Sequence, residues 1–435
     1  MNVDVLIVGA GPAGLAAAIE LRRRTGAQVL VVDRERDPGG VPRHSAHTGY
    51  GLRDLRRVMT GPAYARHYAA TAAGAGAQIR AAATVTGWTP DRAAIVTSAD
   101  GIQTVTARAV LLATGCRERP RPARLVPGDR PPGVMTTGEL QQRVYLGGER
   151  RPGRAVVVGA EHVSFSAMVT LEHAGADVVA LVTDLPRQQS YAAFALAAAA
   201  RWRVPVWTST AVRQVLGRGR LAAVELADVR TGAVRSVACD TLVFTGDWIP
   251  DHELARAAGT AIDPGTSGPA VDTSLETSVP LIFAAGNLVH AAETADVAAL
   301  SGRHAARHIA AALASGPAHQ DPGTAGPDPG AAPGPATAAR VPVIAEPPLA
   351  WISPNAIRFP AERPGAPSAA TPPPRGRFLL RSQVFRRRAL LEVRQGGRIL
   401  GRDRARLIPG RPVILDSGWL ARADPCAGPV RVHVA

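Results

Sequence analysis

The sequence predicts an α/β protein with two Rossmann-like dinucleotide-binding domains, the first discontinuous along the chain, followed by a small C-terminal antiparallel β domain. Three observations carry this. All-apolar strands alternate with helices over the first 316 residues, which means a parallel sheet covered on both faces. A glycine-rich turn follows the first strand and returns in altered form 150 residues later. Beyond residue 340 the apolar period falls to two, punctuated by Gly396-Gly397 and Pro409-Gly410.

Taken in order, 3–8 reads as a buried-type strand, 13–24 has helical spacing with its charged face late, and 28–33 completes a β-α-β unit. Residues 110–114 are another apolar strand, ending at Gly115. A second β-α-β unit begins at Arg154, with strand 155–158, helix 164–173, strand 178–182, and 241–245 closing it. Residues 281–285 lead into a helix over 293–313. From Ser315 to Arg340 the composition collapses to Ala, Gly, Pro and Thr, which cannot bury a core and reads as a linker. Strands at 378–384, 389–395, 398–407, 413–416 and 430–434 form the β tail. The expected division is 1–130 and 247–316 for the first unit, 131–246 for the second, 317–340 for the linker and 341–435 for the tail.

With 435 residues, 46% hydrophobic and 20% charged, the chain is long enough for two to four domains of ordinary globular composition. The apolar stretch at 4–18 holds Gly9, Gly11, Pro12 and Gly14 and lacks a basic leader, so it reads as a strand entering a helix rather than a signal peptide or a span. Residues 192–200 are apolar but too short to cross a bilayer. Three distant cysteines, Cys116, Cys239 and Cys426, argue against a disulfide framework, a metal site or a Cys-x-x-Cys pair, and a cytoplasmic location is expected.

The net charge of +15 rests on 50 basic residues, all arginine, which points to compositional bias rather than a nucleic-acid groove. Absence of lysine excludes a lysine Schiff base, hence a PLP enzyme, and a Walker A lysine. Twelve arginines stand between Arg375 and Arg411 against Glu392 and Asp403. They read as a solvated β face or as a surface for an acidic protein partner; nucleic acid is not an expected partner.

Gly9-Ala10-Gly11-Pro12-Ala13-Gly14 sits where a dinucleotide turn has to sit, after a strand and opening a helix. Gly9 makes the turn, Gly11 lets the backbone approach a pyrophosphate, and Gly14 allows close helix–strand packing. Free N–H groups and the positive dipole end of the helix then face the phosphates. Asp33 ends the second strand nineteen residues after Gly14, where a carboxylate accepts from a ribose hydroxyl.

This turn, followed by LLATG (111–115) and IFAAGN (282–287), resembles the FAD-dependent pyridine-nucleotide-disulfide oxidoreductases over residues 1–316. The resemblance implies that 1–130 and 247–316 form an FAD-binding domain and 131–246 an NAD(P)-binding-like domain. It implies that the first motif binds the FAD pyrophosphate and the second marks a crossing between domains. The third would serve the ribityl chain and lead into a helix pointing at the flavin pyrimidine ring. The cofactor-binding set expected is Gly9, Gly11, Pro12, Ala13, Gly14, Asp33, Arg34, Gly40, Val85, Thr114, Gly115, Gly286, Asn287, Thr294 and Ala295. Asn287 departs from the aspartate usual there, yet its amide also bonds a hydroxyl. Thr294 and Ala295 would offer N–H groups to the anion on reduced flavin.

The second turn, VVVGAEHVS (156–164), has Glu161 where a backbone should meet a pyrophosphate and Ser164 in place of the packing glycine. Two readings stand: the fold persists without a nucleotide, or NAD(P) binds in an altered pose. Asp184, twenty residues after Ser164, is placed to hold a ribose, and only Arg187 suggests a 2′-phosphate contact. No cysteine pair flanks the flavin motifs, and Cys116 reads as a structural thiol.

Substrate-side candidates follow the second strand. Arg43 would clamp a carboxylate, and His44 and His47 would exchange protons near neutral pH. His290 and Glu293, just past Asn287, are further catalytic candidates. Tyr64 and Arg66 read as packing.

Finer patterns, GGVPRH, GPAYAR, TGCRERPR, GAEHVSFS, TGDWIPDHELAR and GNLVHAAETAD, resemble the large flavin subunits of opine oxidases and hydrogen cyanide synthase and related amine dehydrogenases. That resemblance implies C–N oxidation, commonly beside a second subunit, hence a homo- or hetero-oligomer. The chain lacks their cysteine-rich C-terminal segment. The expected function is hydride transfer from a small amine, amino acid or hydroxy acid to FAD. The alternatives are an NAD(P)H-dependent flavin reductase and a flavin-binding partner subunit.

Overall fold

A computed structural model describes residues 1–315, 338–360 and 369–435. The first sheet has seven strands. Its parallel part runs Gln78–Arg80, Val29–Val32, Asn2–Val8 and Gly101–Leu112, with Ile282–Ala284 beside the last. Register is set by β-branched and leucine runs, with Ile7 opposite both Val31 and Leu111, and Leu111 opposite Phe283. Val5, Leu6 and Ile7 have no exposed surface, and burying each such side chain contributes roughly 1.5–3 kcal/mol before entropy is counted. Ala83–Trp88 and Ala94–Ser98 extend the sheet as an antiparallel hairpin.

Helices Pro12–Arg24 and Ala295–Ala314 pack so closely that a Cβ at Gly302 would stand 2.0 Å from Ala13 O. The late strand Ile282–Ala284 and its helix therefore return to the first glycine turn.

A second, all-parallel sheet runs Val134–Thr136, Thr241–Phe244, Gly153–Val158, Ala176–Val182 and Val206–Trp207, with helix His162–Ala174 after its central strand. A three-stranded antiparallel sheet, Thr210–Leu216, Ala223–Asp228 and Val234–Ala238, packs beside it. The chain passes between the two units twice, in Cys116–Glu118 and Trp248–Pro250, which pair antiparallel.

The C-terminal unit is a β sandwich. A five-stranded sheet, Ala356–Phe359, Ala339–Ala345, Val430–Val434, Arg386–Gln395 and Arg398–Leu407, faces a three-stranded one, Leu349–Ser353, Arg377–Ser382 and Pro412–Asp416. Phe378, Leu391, Val393, Leu407 and Val432 share its core. Every pair is antiparallel except Ala339–Ala345 with Val430–Val434, which is parallel. Among the described residues no helix is long and apolar enough to cross a membrane.

Several boundaries differ from the sequence reading. Residues 317–337 of the expected linker lie outside the described residues, but Ala339 and Arg340 are already strand, because Arg340 is paired with Asp272 and Glu276 at 3.0 Å each. Of the expected strand at 110–114, residues 110–112 are the buried end of a twelve-residue strand that starts at Gly101, whose exposed first half lacks apolar runs, and Ala113 and Thr114 lie just past it. The helix expected from 293 begins at Ala295 with Thr294 as its N-cap. Glu293 is drawn out of it because its N–H donates to Asn287 Oδ1 at 2.8 Å. Arg66, expected to pack, is exposed, whereas Tyr64 is buried and donates to Asp54.

Candidate functional site

The three glycines of the first turn are required for different reasons. Gly9 has φ +110°, and a Cβ on it would lie 2.4 Å from Ala113 O. A Cβ on Gly14 would lie 1.9 Å from Gly9 O. Gly11, the N-cap of Pro12–Arg24, has ordinary extended angles, φ −79° and ψ −175°, and a Cβ there would meet nothing within 4 Å. The fold itself places no demand on Gly11, which leaves the space above it open to a ligand that approaches the backbone closely. Asp33 stands at the end of the neighbouring strand, accepting from Ala10 N at 2.5 Å and Glu35 N at 2.8 Å.

Other expected cofactor residues gather around this helix start. Gly39 N donates to Ala10 O at 2.7 Å, and a Cβ on Gly40 would lie 2.9 Å from Gly11 Cα. Thr114 Oγ1 donates to Asp251 O at 2.7 Å, and Asp251 N to Gly115 O at 2.9 Å, tying the crossing strand to the turn. A Cβ on Gly286 would lie 2.8 Å from Ala13 Cβ. Arg34 is mostly exposed, 3.6 Å from Asp251. Val85 is a core side chain opposite Val96, in the strand whose first residue, Ala83, donates to Asp33 O at 2.9 Å. An open helix N-terminus, a glycine whose Cβ would fill the approach and a carboxylate at the strand end fit the pyrophosphate and ribose of FAD.

The second turn is filled by its own side chain. Glu161 caps helix His162–Ala174 in a capping box with Ser164, whose Oγ accepts from Glu161 N at 3.3 Å. The Thr245 hydroxyl donates to Glu161 Oε1 and lies 2.8 Å from Ser164 Oγ. The carboxylate reaches within 2.9 Å of where Cβ atoms of Gly159 and Gly246 would stand. Burial pushes the Glu161 acid upward. Next to it burial raises Glu118 to about 7, while its carboxylate accepts from Gly138 N at 2.8 Å and Gly246 N at 3.3 Å.

The same turn is covered from outside. Gln189 N donates to Ala160 O at 2.9 Å, Tyr191 packs on His162 with ring centroids 4.6 Å apart, and Arg411 lies 4.2 Å above the Tyr191 ring. Asp184 and Arg187 are exposed.

A third cluster forms at the start of helix Ala295–Ala314. Both amide atoms of Asn287 are spent on Glu293, accepting from its N–H at 2.8 Å and donating to its carbonyl at 3.1 Å. The Thr294 hydroxyl donates to Asp296 and accepts from Arg53 Nη1 at 2.9 Å, while Ala295 O accepts from Tyr64 at 3.3 Å. Only 9% of the Glu293 side chain is exposed, and its Oε1, 4.0 Å from Arg381 Nη2, receives no hydrogen bond. Burial, opposed by Arg381, raises this acid to about 7. His290 keeps some exposed surface, but its Nδ1 is sealed off without a partner, and burial lowers its pKa to about 3, so the ring is neutral.

Sequence reasoning missed two members of this cluster, Arg381 and Trp351. They are cross-strand partners in the three-stranded sheet of the sandwich, Trp351 8% exposed and the Arg381 side chain 12%. Arg381 donates to Ala291 O at 3.1 Å and to Gly410 O, and its guanidinium lies 5.1 Å from the Trp351 ring centre. Trp351 lies 5.3 Å from the His290 ring. In Arg377–Ser382 the residues Phe378, Leu380 and Ser382 point to the core. The alternation therefore placed Arg381 on the opposite face, and nothing local told that face from solvent.

Arg43 and the two other histidines lie elsewhere. Arg43 pairs with Glu35 at 3.0 Å and Asp37 at 3.7 Å. His44 is 4% exposed, its Nδ1 unpartnered, and burial with Arg43 beside it lowers its pKa to about 4. His47 is held at both nitrogens, Nδ1 by Thr48 O at 2.8 Å and Nε2 by Ser45 Oγ at 3.0 Å. Among the described residues no hydrogen bond or ion pair joins these three to His290 or Glu293.

Residues 3–302 match the family model described as pyridine nucleotide-disulphide oxidoreductase. The chain is 35% identical over 187 residues to an opine oxidase subunit of Agrobacterium tumefaciens, covering 40% of this chain and 35% of that one. It is 33% identical over 165 residues to hydrogen cyanide synthase subunit HcnB of Pseudomonas aeruginosa, covering 37% and 34%. It therefore spans about a third of the length of these curated relatives. In fold it is similar to T. acidophilum thioredoxin reductase, with a TM-score of 0.60 at 22% identity over 72% of this chain and 99% of that one.

Proposed function

The chain belongs to the pyridine nucleotide-disulphide oxidoreductase family, and from that premise we propose that it is an FAD-dependent oxidoreductase acting directly on a small amine, amino acid or hydroxy acid, with neither a redox disulfide nor a nicotinamide in its second glycine turn. One contrast carries the reading: the space over Gly11 is open, whereas the equivalent space in the second unit holds the Glu161 carboxylate. The cysteines support it, since Cys116, Cys239 and Cys426 are all free and burial pushes the Cys116 thiol upward, away from the reactive thiolate.

Gly9 to Gly14, Asp33, Gly40, Thr114, Gly115 and Gly286 would hold the FAD, which supplies the two-electron acceptor. Of the proton acceptors considered, Glu293 fits best. Its Oε1 has no donor, its backbone is fixed by Asn287, and its raised pKa makes its carboxylate basic enough to take a proton from a substrate nitrogen or oxygen near neutral pH. His290 is neutral beside it. His44 is a weaker base deeper in the fold. If the chain works within a larger assembly, as the name of the opine oxidase relative states for that protein, an acidic partner would meet the exposed arginines Arg386, Arg387, Arg388 and Arg398.

The test is anaerobic mixing of the flavin-loaded protein with amino acids, amines, hydroxy acids, NADH and NADPH, following the flavin absorbance. Bleaching by a member of the first three groups is expected. Rapid bleaching by a nicotinamide would overturn the reading in favour of a flavin reductase. Inertness toward all of them, with a second chain co-purifying, would leave a partner subunit.

A further inference from the structure

We propose that the C-terminal sandwich completes the substrate site, with Arg381, backed by Trp351, binding the carboxylate of a small amino or hydroxy acid whose nitrogen or oxygen faces Glu293. The proposal rests on the preceding reading for the class of substrate and goes beyond it in assigning a binding residue and a role to the tail.

Three observations support it. First, the guanidinium and the carboxyl are neighbours without being a closed pair: Arg381 Nη2 and Glu293 Oε1 are 4.0 Å apart, and that oxygen has no hydrogen bond. A buried acceptor left without a donor is costly and so marks a place meant for one. An amino group supplies that donor, and a hydroxyl does likewise. Second, an arginine has five N–H donors, of which Arg381 spends one on Ala291 O and one on Gly410 O. Those bonds, with the Trp351 ring 5.1 Å away, fix the fork in place and leave further donors for a carboxylate.

Third, the sandwich is firmly seated over this spot. Asp272, with no exposed side chain, is paired to Arg340 and Arg358 at 3.0 and 3.2 Å, and Asn355 N donates to Val271 O at 2.9 Å. Arg53, bonded to Thr294 at 2.9 Å, is itself ion-paired with Asp296 at 3.5 Å, which leaves Arg381 as the guanidinium for the substrate acid. A fixed guanidinium beside an unsatisfied carboxyl oxygen suits a zwitterionic or hydroxyl-bearing acid better than a plain amine.

The test uses the flavin-loaded full chain and pyrrole-2-carboxylate, an unreactive planar acid, with its uncharged carboxamide as control; binding is read from perturbation of the flavin spectrum. The acid is expected to bind about ten- to a hundredfold tighter than the carboxamide, and Arg381→Met to abolish that preference. Arg404→Met, at an exposed arginine with no assigned role, should leave it unchanged. Equal binding of acid and carboxamide by the unaltered protein overturns the proposal and needs no variant to fold. So does an Arg381→Met protein that keeps its flavin and the full preference. Should Arg381→Met be unstable, Arg381→Lys replaces it, with a preference reduced severalfold expected and an unchanged one overturning the proposal. If the acid binds as expected but no amino acid, amine or hydroxy acid reduces the flavin, the functional reading fails while the binding site stands.

Discussion

Glu161 accepts a hydrogen bond from the Thr245 hydroxyl across the turn that closes the second β-α-β unit, so the acid group that fills that helix end is the chain's own. Tyr191 and Arg411 cover the outside. Glu161→Gly combined with Tyr191→Ala is expected to raise NADH or NADPH affinity at least about tenfold, with Glu161→Gly alone doing less. Calorimetric titration checks this, and an unchanged titration of the double variant would remove the carboxylate as the cause of the block.

The two glycines Gly11 and Gly14 separate ligand from fold. Gly11→Ala should fold with an unchanged flavin-free melting temperature and emerge with FAD affinity lowered at least about tenfold, because only the ligand meets the new methyl. Gly14→Ala, whose methyl meets Gly9 O, should lose about 1–3 kcal/mol or fail to fold. The ratio of flavin to protein absorbance, measured beside a thermal melt, distinguishes the two.

Glu118 links stability to pH. Its acid is raised from 4.5 to about 7 by burial, so the folded chain holds a proton that the unfolded chain releases between those values. The contribution is fully present below about 4.5 and is lost as pH rises through about 7. Glu118→Gln should match the parent at the acid end and melt higher than it above neutrality. A parallel offset at every pH would contradict this.

Glu293→Gln addresses the proton step. In the parent the rate of anaerobic flavin reduction should climb with pH through about 7 as the carboxylate forms. The amide variant should flatten that profile and slow reduction by about 100- to 10,000-fold. A sloped profile that survives the substitution would move the role to another group.

The seat of the C-terminal sandwich depends on buried charge. Arg358→Met leaves Asp272 and Glu276 to Arg340 alone, and a cost of about 3 kcal/mol is expected. Thermal melts, with proteolysis to detect release of the tail, would measure it; an unchanged melt would mean that the apolar contacts hold the tail unaided.

Much of this was legible in the chain itself. The runs at 3–8 and 29–32 could only be covered strands, and a glycine turn between strand and helix has few uses. The Glu161 substitution was legible for the same reason, because the equivalent position in the first turn shows what belongs there. What could not be read was the meeting of Arg381 with Ala291, ninety residues apart. Local pattern states which way a side chain leaves its strand, not what another part of the molecule brings to that side. Covalent neighbours also hid the position of Glu293: periodicity put it in the helix, and a side-chain amide six residues earlier pulled it out.

The sandwich grips both dinucleotide units, Asp272 and Glu276 through Arg358 and Tyr191 through Arg411. It acts as a splint across the two strands, Cys116–Glu118 and Trp248–Pro250, that join them. Swivelling one unit against the other would have to tear loose an ion-paired end and a stacked end together. A molecule braced in this way has to work at a single fixed angle between its two dinucleotide units.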